Sequence, residues 1–543
     1  MRGTEFPEPC RSLAASALAV LAACAATAAT MEVRLLEGEK WWGGAGGDGQ
    51  SQPYSAAADS KLLDLRYHGH TSSPLLVSSR GRYLWSEDAF SYQFKGGTLR
   101  IESEYALPEL VTAGGNLREA YLDAARRHFR FEGKTPPEVF FTLPQWNNWI
   151  EIFLNGINQK SVDDYTAELK ASGYPCGVYM MDGGWLTHQG SYEFYEKDFP
   201  DAKGMFDRIR AAGWIPLIWT AHFVSPDSRE YKLLRWHAKY DTLDHLVYRK
   251  QPGSREAGLL RWWSGVSCSY DLTKPEASAY YVKTLKDFAA RYGIAGFKFD
   301  AGDARFFRED CRFHDPAARE IDFPRLYAEL AAREFPYHEI RVSWKCGGLP
   351  LVTRLNDRPH TWEGQRTIIS QIVAAGLLGC PYSLADMVGG GLEVSFLGKE
   401  VDEKLVLRSA ALQALMPMMQ FSLAPWRRLS PEGNAVCRRF ADLHVRFAPC
   451  IMELVREAAA TGAPIVRTME YEFPDETFTR SRDQFMLGSK WLVAPVLDPA
   501  DRTTVELPAG RWRDDLGAVH EGPKTLRLED VPLDRLPLYE RLP

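Results

Sequence analysis

From residue 137 to 425 the chain repeats one pattern: a short apolar run, a polar loop, then a stretch with apolar positions three and four apart. The runs are Gly177-Val-Tyr-Met-Met-Asp182, Trp214-Ile-Pro-Leu-Ile-Trp219, Gly296-Phe-Lys-Phe-Asp300, Arg341-Val-Ser-Trp344, Leu351 to Asp357, Pro381-Tyr-Ser-Leu-Ala-Asp386 and Met416-Pro-Met-Met-Gln-Phe421. Between them the period changes from two to 3.6. The clearest helix is predicted over Pro275 to Tyr292, with Tyr281, Leu285, Phe288 and Tyr292 on one face and Thr273-Lys-Pro-Glu276 in the form of a capping box. Strands alternating with helices predict a parallel sheet. About eight strand candidates favour a closed (β/α)8 TIM barrel over an open doubly wound sheet. No Gly-rich dinucleotide fingerprint or P-loop follows the first strand.

The flanks read differently. Residues 31–136 carry short alternating runs separated by turns, among them Leu75-Leu-Val, Arg82-Tyr-Leu-Trp and Thr98-Leu-Arg-Ile-Glu, and predict an N-terminal β-sandwich-like domain. Residues 426–543 lose the helical period after linking helices that run from 403 to 460. Phe485-Met-Leu-Gly, Trp491 to Val496, Thr504-Val-Glu-Leu and Thr525-Leu-Arg-Leu then predict a C-terminal β-sandwich. The expected class is therefore α/β, a TIM barrel between two β domains.

Composition changes this picture little. Apolar residues at 45% and charged residues at 25% suit a globular chain, and a net charge of −6 without a basic tract argues against nucleic-acid binding. Residues 1–30 are read as a signal peptide, with Arg2 and Arg11 ahead of an apolar stretch from Leu13 to Ala29 that is short for a membrane span. Leu21-Ala22-Ala23-Cys24 has the form of a lipobox, so the expected location is exported: periplasmic, extracellular, or lipid-anchored through Cys24. A chance Cys in an Ala-rich leader is the alternative. Two of the nine cysteines lie in the leader; the other seven show no CxxC pair and no Cys/His cluster at zinc spacing. No metal or cofactor is called for, and the oligomeric state is left open.

Candidate chemistry sits at the ends of the predicted strands. Asp182, Asp300, Asp357 and Asp386 each close one. In a TIM barrel the C-terminal strand ends converge on one rim, which carries the active site. One such Asp is commonly a helix cap; four in one register would gather mutually repelling, desolvated carboxylates, which a structural role does not require. Paired carboxylates at a sugar-sized pocket suit glycoside hydrolysis, and a retaining enzyme needs them about 5–5.5 Å apart. Two strand ends with one strand between them can supply that gap. The 16 tryptophans are candidates for sugar-stacking platforms, although core packing explains most aromatic residues.

Six blocks in order resemble glycoside hydrolase family 31 over residues 137 to 500: Trp146-Asn-Asn-Trp-Ile150 with Asn158-Gln159; Gly177 to Trp185 with Phe199-Pro-Asp201; Ser269 to Ala277; Gly296-Phe-Lys-Phe-Asp300; Arg354-Leu-Asn-Asp357 with Trp362; and Leu384-Ala-Asp-Met-Val-Gly-Gly390. The resemblance implies that Asp300 is the nucleophile on the fourth barrel strand and Asp357 the general acid/base on the sixth. Lys298 shares a strand face with Asp300, and its charge is expected to help keep Asp300 ionised. Arg341 falls where the family places a pocket arginine. Asp182 and Asp386 look like the carboxylates that fix sugar hydroxyls. Trp185 belongs to the same substrate-binding group, and Trp219, Trp263 and Trp344 are the expected walls. His222, His360 and the Met416–Met419 cluster are read as packing residues.

Two blocks depart from the common pattern. Many family glucosidases carry Trp-x-Asp-Met-Asn-Glu around the nucleophile, where this chain has Lys298-Phe-Asp-Ala-Gly-Asp303, and Trp-x-Gly-Asp at the acid/base, where it has Arg354-Leu-Asn-Asp357. Both changes resemble the branch with α-galactosidases and the myogenesis-regulating glycosidase. The implied function is a retaining exo-α-glycosidase acting on an oligosaccharide or glycoside, with galactose placed ahead of glucose. A transglycosylase of the same fold and a catalytically silent carbohydrate-binding protein are the competing readings.

Overall fold

The computed structural model describes residues 28–239, 244–249, 256–307 and 311–543. Cys24 and most of the leader lie outside them. At the centre is a closed parallel barrel of eight strands. In chain order these are β1 (Gln145–Asn147), β2 (Val178–Met181), β3 (Ile215–Ala221), β4 (Gly296–Asp300), β5 (Tyr337–Ile340), β6 (Thr353–Arg354), β7 (Ser383–Met387) and β8 (Met418–Phe421), which pairs back onto β1. Their outward residues are buried, as a parallel sheet requires. The helix α2 (Pro275–Tyr292) has the predicted span, with Pro275 in its first turn and Gly293 at φ 71° closing it. Its predicted capping box is not formed: the N-cap is Lys274, without a side-chain cap bond, and the Thr273 hydroxyl bonds Asp271 instead.

The first barrel strand ends at Asn147, and a helix begins at Trp149. One predicted strand is displaced. The fifth barrel strand is Tyr337–Ile340, not Arg341 to Trp344. Ser343–Trp344 leaves the barrel and pairs with Thr71–Ser78 of the N-terminal domain. No helix lies between β5 and β6, residues 341–352. That side is covered by the N-terminal domain, whose helix α1 (Leu117–His128) buries Leu117, Ala120, Tyr121 and Ala124 in the barrel's hydrophobic core. Just beyond α1, the Arg130 N–H donates to the Gly347 carbonyl at 2.9 Å.

The N-terminal domain holds a four-stranded and a five-stranded sheet around Trp41, Tyr54, Tyr92 and Phe94. After the barrel, the long helix α3 (Pro431–Thr461) leads to a six-stranded antiparallel C-terminal sheet packed on Met486, Leu492 and Trp512. Among the described residues no helix is long and apolar enough to cross a membrane, and all seven described cysteines are free thiols.

Candidate active site

The strand ends deliver their acids to one rim. Asp300 is the last residue of β4 and 8% exposed. Its Oδ2 accepts from the Trp219 indole N–H at 3.0 Å, and its Oδ1 accepts from the Ala301 N–H at 2.9 Å and from Arg354 Nη2 at 3.2 Å. Arg341 Nη1 stands 3.6 Å from the same oxygen. Burial opposes ionisation, but the guanidiniums of Arg354 and Arg341, with Lys298 and the indole, outweigh it and hold the carboxyl well below its usual range. Asp300 is thus an anion in a nearly dry site, the state a carboxylate nucleophile needs.

Asp357 lies three residues past Arg354 and its side chain is 30% exposed. Its Oδ1 accepts from Arg354 Nη1 at 2.6 Å. The two candidate catalytic carboxylates therefore share one guanidinium. Between β4 and β6 runs only β5, so the sequence expectation of one intervening strand holds.

Arg354 itself was not singled out in the sequence. It is 4% exposed, and its charge is opposed by burial but secured by Asp357, Asp300, Glu339 and Asp386. The signal was present: arginine at a site where many relatives carry tryptophan, three residues from a candidate catalytic acid. Lys298 has a different first task from the one expected. Its ammonium pairs with Asp182 Oδ2 at 2.7 Å, where the Asn147 side chain also donates at 2.8 Å. Burial disfavours the ammonium, yet Asp182 more than compensates. Lys298 supports Asp300 only after Arg354 and Arg341.

Asp386 lies within β7 where the register with β8 shifts, has a left-handed φ of 73° and is 4% exposed. Its Oδ2 accepts from the Arg358 N–H at 2.7 Å and the Gly391 N–H at 3.0 Å. Burial, then the charge of Asp357, pushes its carboxyl up to about 7. The structure thus brings Asp182, Lys298, Asp300, Arg341, Asp357, Asp386 and Trp219 into one network. Trp263 joins it at the edge: it is 51% exposed, and the Arg341 guanidinium lies 4.9 Å from its ring centroid.

Two expected sugar-facing tryptophans are packing residues. Trp185 is buried, stacks on Phe288 at 5.0 Å and donates to the Trp219 carbonyl. Trp344 is buried in the core of the N-terminal domain. Its large apolar face suggested a wall, but its short strand belongs to the other sheet. His222 is a buried core histidine, as read: Nδ1 meets the Ser269 hydroxyl at 2.8 Å and Nε2 accepts from the Gly302 N–H at 3.1 Å. Burial lowers it to about 3, so it is neutral.

The sequence also missed a contribution from the N-terminal domain. His70, at φ 67°, accepts through its carbonyl from the Ser343 N–H at 3.4 Å. Burial, then the charges of Arg341 and Arg354, hold its imidazole well below the usual range. Its neighbour Gly69 lies against Asp303, whose buried carboxylate stands 3.6 Å from Arg341 Nε; a Cβ on Gly69 would fall 2.7 Å from Asp303 Oδ1. Among the described residues no group of three or more His, Cys, Asp or Glu is arranged to hold a metal ion.

Known proteins share this fold. The Glycosyl hydrolases family 31 TIM-barrel domain matches residues 135–337, and the family's C-terminal domain matches residues 462–542. The mouse Myogenesis-regulating glycosidase is 28% identical over 517 residues, 90% of this chain and 71% of that protein. The 1,3-alpha-isomaltosidase of Kribbella flavida is 25% identical over 67% of this chain; the chain spans 53% of that relative's length. Among solved structures, the Flavobacterium johnsoniae GH31 dextranase complexed with glucose superposes with a TM-score of 0.79 at 17% identity, over 94% of this chain and 66% of that one. The cycloalternan-degrading enzyme from Trueperella pyogenes, in complex with covalent intermediate, gives 0.77 at 20% identity, over 95% and 78%. With its closed eight-stranded barrel, its carboxylate-lined rim and both family domains matched in order, the chain belongs to glycoside hydrolase family 31.

Proposed function

We propose that this protein is a retaining exo-α-glycosidase that removes a terminal α-linked hexose by double displacement. The observation that carries the reading is the pair Asp300 and Asp357 on one guanidinium, the first nearly dry and ionised, the second open to solvent. Asp300 attacks the anomeric carbon and forms a glycosyl ester. Asp357 protonates the leaving oxygen and then takes a proton from the water that releases the sugar. The Trueperella cycloalternan-degrading enzyme, solved in complex with a covalent intermediate, supports the same route here. Asp182, Lys298, Asp386 and Arg341 would hold the sugar hydroxyls, with Trp219 and Trp263 as walls.

Galactose is the first choice of sugar and glucose the second, because Lys298 and Arg354 stand where many family glucosidases carry tryptophan. A panel of nitrophenyl α-glycosides tests both activity and sugar. Asp300→Ala should abolish turnover; retained activity in a clean preparation of that variant would end the assignment. A silent binding protein is disfavoured because both carboxylates are present and share one guanidinium. Transfer in place of hydrolysis would show as new oligosaccharides at high acceptor concentration. Export, with or without a lipid at Cys24, is part of the same proposal, and fractionation of cells expressing Cys24→Ser tests it.

A further inference from the structure

A buried arginine between two catalytic carboxylates is electrostatically demanding. Arg354 is 4% exposed and meets three acids: Asp357 at 2.6 Å through Nη1, Asp300 at 3.2 Å through Nη2, and Glu339 at 3.4 Å through Nε. Glu339 lies on β5 opposite Lys298 in register and is fully buried. The side chain of Gln420 on β8 donates to its other oxygen at 3.0 Å. Replacing such buried charge with neutral groups is often neutral or stabilising, so stability alone does not account for the cluster.

Double displacement supplies a reason. Before the first step Asp300 is an anion and Asp357 holds a proton. In that step an Asp300 oxygen bonds to C1, the C1–O bond to the leaving group breaks, and the departing oxygen takes the bond's electron pair and the proton of Asp357. Asp300 is now a neutral ester and Asp357 an anion. In the second step water gives a proton to Asp357, its oxygen bonds to C1, and the ester electrons return to Asp300. One negative charge has moved from Asp300 to Asp357 and back, and Arg354 touches both places it occupies.

We propose that Arg354 is a catalytic residue for both half-reactions, a fixed cation around which the single negative charge of Asp300 and Asp357 moves, and that Glu339 is the positioning residue that holds it there from the barrel interior. This rests on the retaining reading above. A cation preorganised at both sites stabilises each transition state without having to reorganise. Glu339 takes no part in the proton transfers, so it faces Arg354 Nε at 3.4 Å unchanged while the other two partners exchange roles.

The test uses the full chain and the nitrophenyl α-glycoside that the wild type cleaves best. The nitrophenol burst reports glycosylation, and the decay of trapped glycosyl-enzyme reports deglycosylation. Arg354→Met should slow both about 100-fold or more, and Arg354→Lys both about tenfold. Glu339→Gln should slow both by a similar factor, about tenfold, measured at a temperature where its circular dichroism matches that of the wild type. If Arg354→Met fails to fold, Arg354→Lys, which keeps the charge, carries the comparison. Slowing of only one step by the Arg354 variants, or normal rates in Glu339→Gln, would overturn the proposal and leave the retaining mechanism standing. A wild type that cleaves none of the panel would instead sink the parent reading.

Discussion

Lys298→Met should separate stability from catalysis. Lys298 is 3% exposed, and its ammonium lies 2.7 Å from Asp182, itself 3% exposed. Removing the ammonium leaves a buried carboxylate that has lost its counter-charge, a change that costs about 3–5 kcal/mol. Asp182 keeps two donors, the Asn147 side chain at 2.8 Å and the Gly183 N–H at 2.8 Å, so the lower end applies. A loss of ~3 kcal/mol in a unit of roughly 250 residues lowers the melting midpoint by about 6 °C. The double variant Lys298→Met/Asp182→Asn removes both charges and should recover to within ~1 kcal/mol of wild type. Both variants should be catalytically poor if, as proposed, these groups hold the sugar hydroxyls. Thermal unfolding followed by circular dichroism, beside nitrophenyl glycoside turnover, measures the two effects. If the double variant melts as low as Lys298→Met, or the single variant costs under ~1 kcal/mol, the pair is not the buried ion pair described.

Two titrating groups should pull stability in opposite directions with pH. The Asp386 carboxyl, raised by burial and by Asp357, keeps its proton in the folded state from the ordinary carboxylate range near 4 up to about 7, so it makes stability fall as pH rises across that window. Asp386→Asn removes this, and the melting midpoint of the variant should rise more steeply with pH from 4 to 7 than that of the wild type. His222, lowered by burial to about 3, is neutral when folded while its unfolded form takes a proton below about 6.5, so it makes stability fall as pH falls from 6.5 towards 3. His222→Phe should flatten that acid limb and, by orphaning the Gly302 N–H, cost about 1–3 kcal/mol at pH 7. Gly69→Ala should press on Asp303 and, through it, on Arg341, lowering kcat/KM on the preferred glycoside while the melting midpoint moves little. Unchanged kinetics in that variant would show that the N-terminal loop does not position Arg341.

The sequence revealed the barrel where its strands are apolar and hid it where they are not. Gly296 to Asp300 alternates cleanly, so β4 has the expected limits and Lys298 and Asp300 share a face. Tyr337-His-Glu-Ile340 carries two polar residues in four positions, because Glu339 points into a polar barrel interior with Lys298, Arg354 and Gln420. A hydrophobic period cannot detect a strand whose inward face is charged. The apolar run just after it, ending at Trp344, took its place in the reading. Arg354 was hidden for a related reason: a lone arginine near a strand end has no pattern of its own, and only the distances to Asp300 and Asp357 reveal its role. Trp185 and Trp344 failed as walls because side-chain type says nothing about which side of a sheet is already covered.

The missing helix between β5 and β6 explains why the N-terminal domain reaches the site at all. Each strand of a TIM barrel must have its outer face covered. Here residues 341–352 supply no helix, and the N-terminal domain meets them instead, through Thr71–Ser78, which pairs with Ser343–Trp344, and through the Arg130 N–H, which donates to Gly347. That pairing starts two residues after Arg341 and one residue after His70. The same backbone hydrogen bonds that seal the barrel therefore set the approach of Arg341 to Asp300 and bring Gly69 against Asp303. A helix in the usual place would have sealed the strand but left Arg341 on a free loop, where an ion pair with Asp300 at 3.6 Å would have to be bought with loop entropy. Docking a second domain onto the gap removes that cost from the catalytic cycle, because the loop is ordered once, when the chain folds.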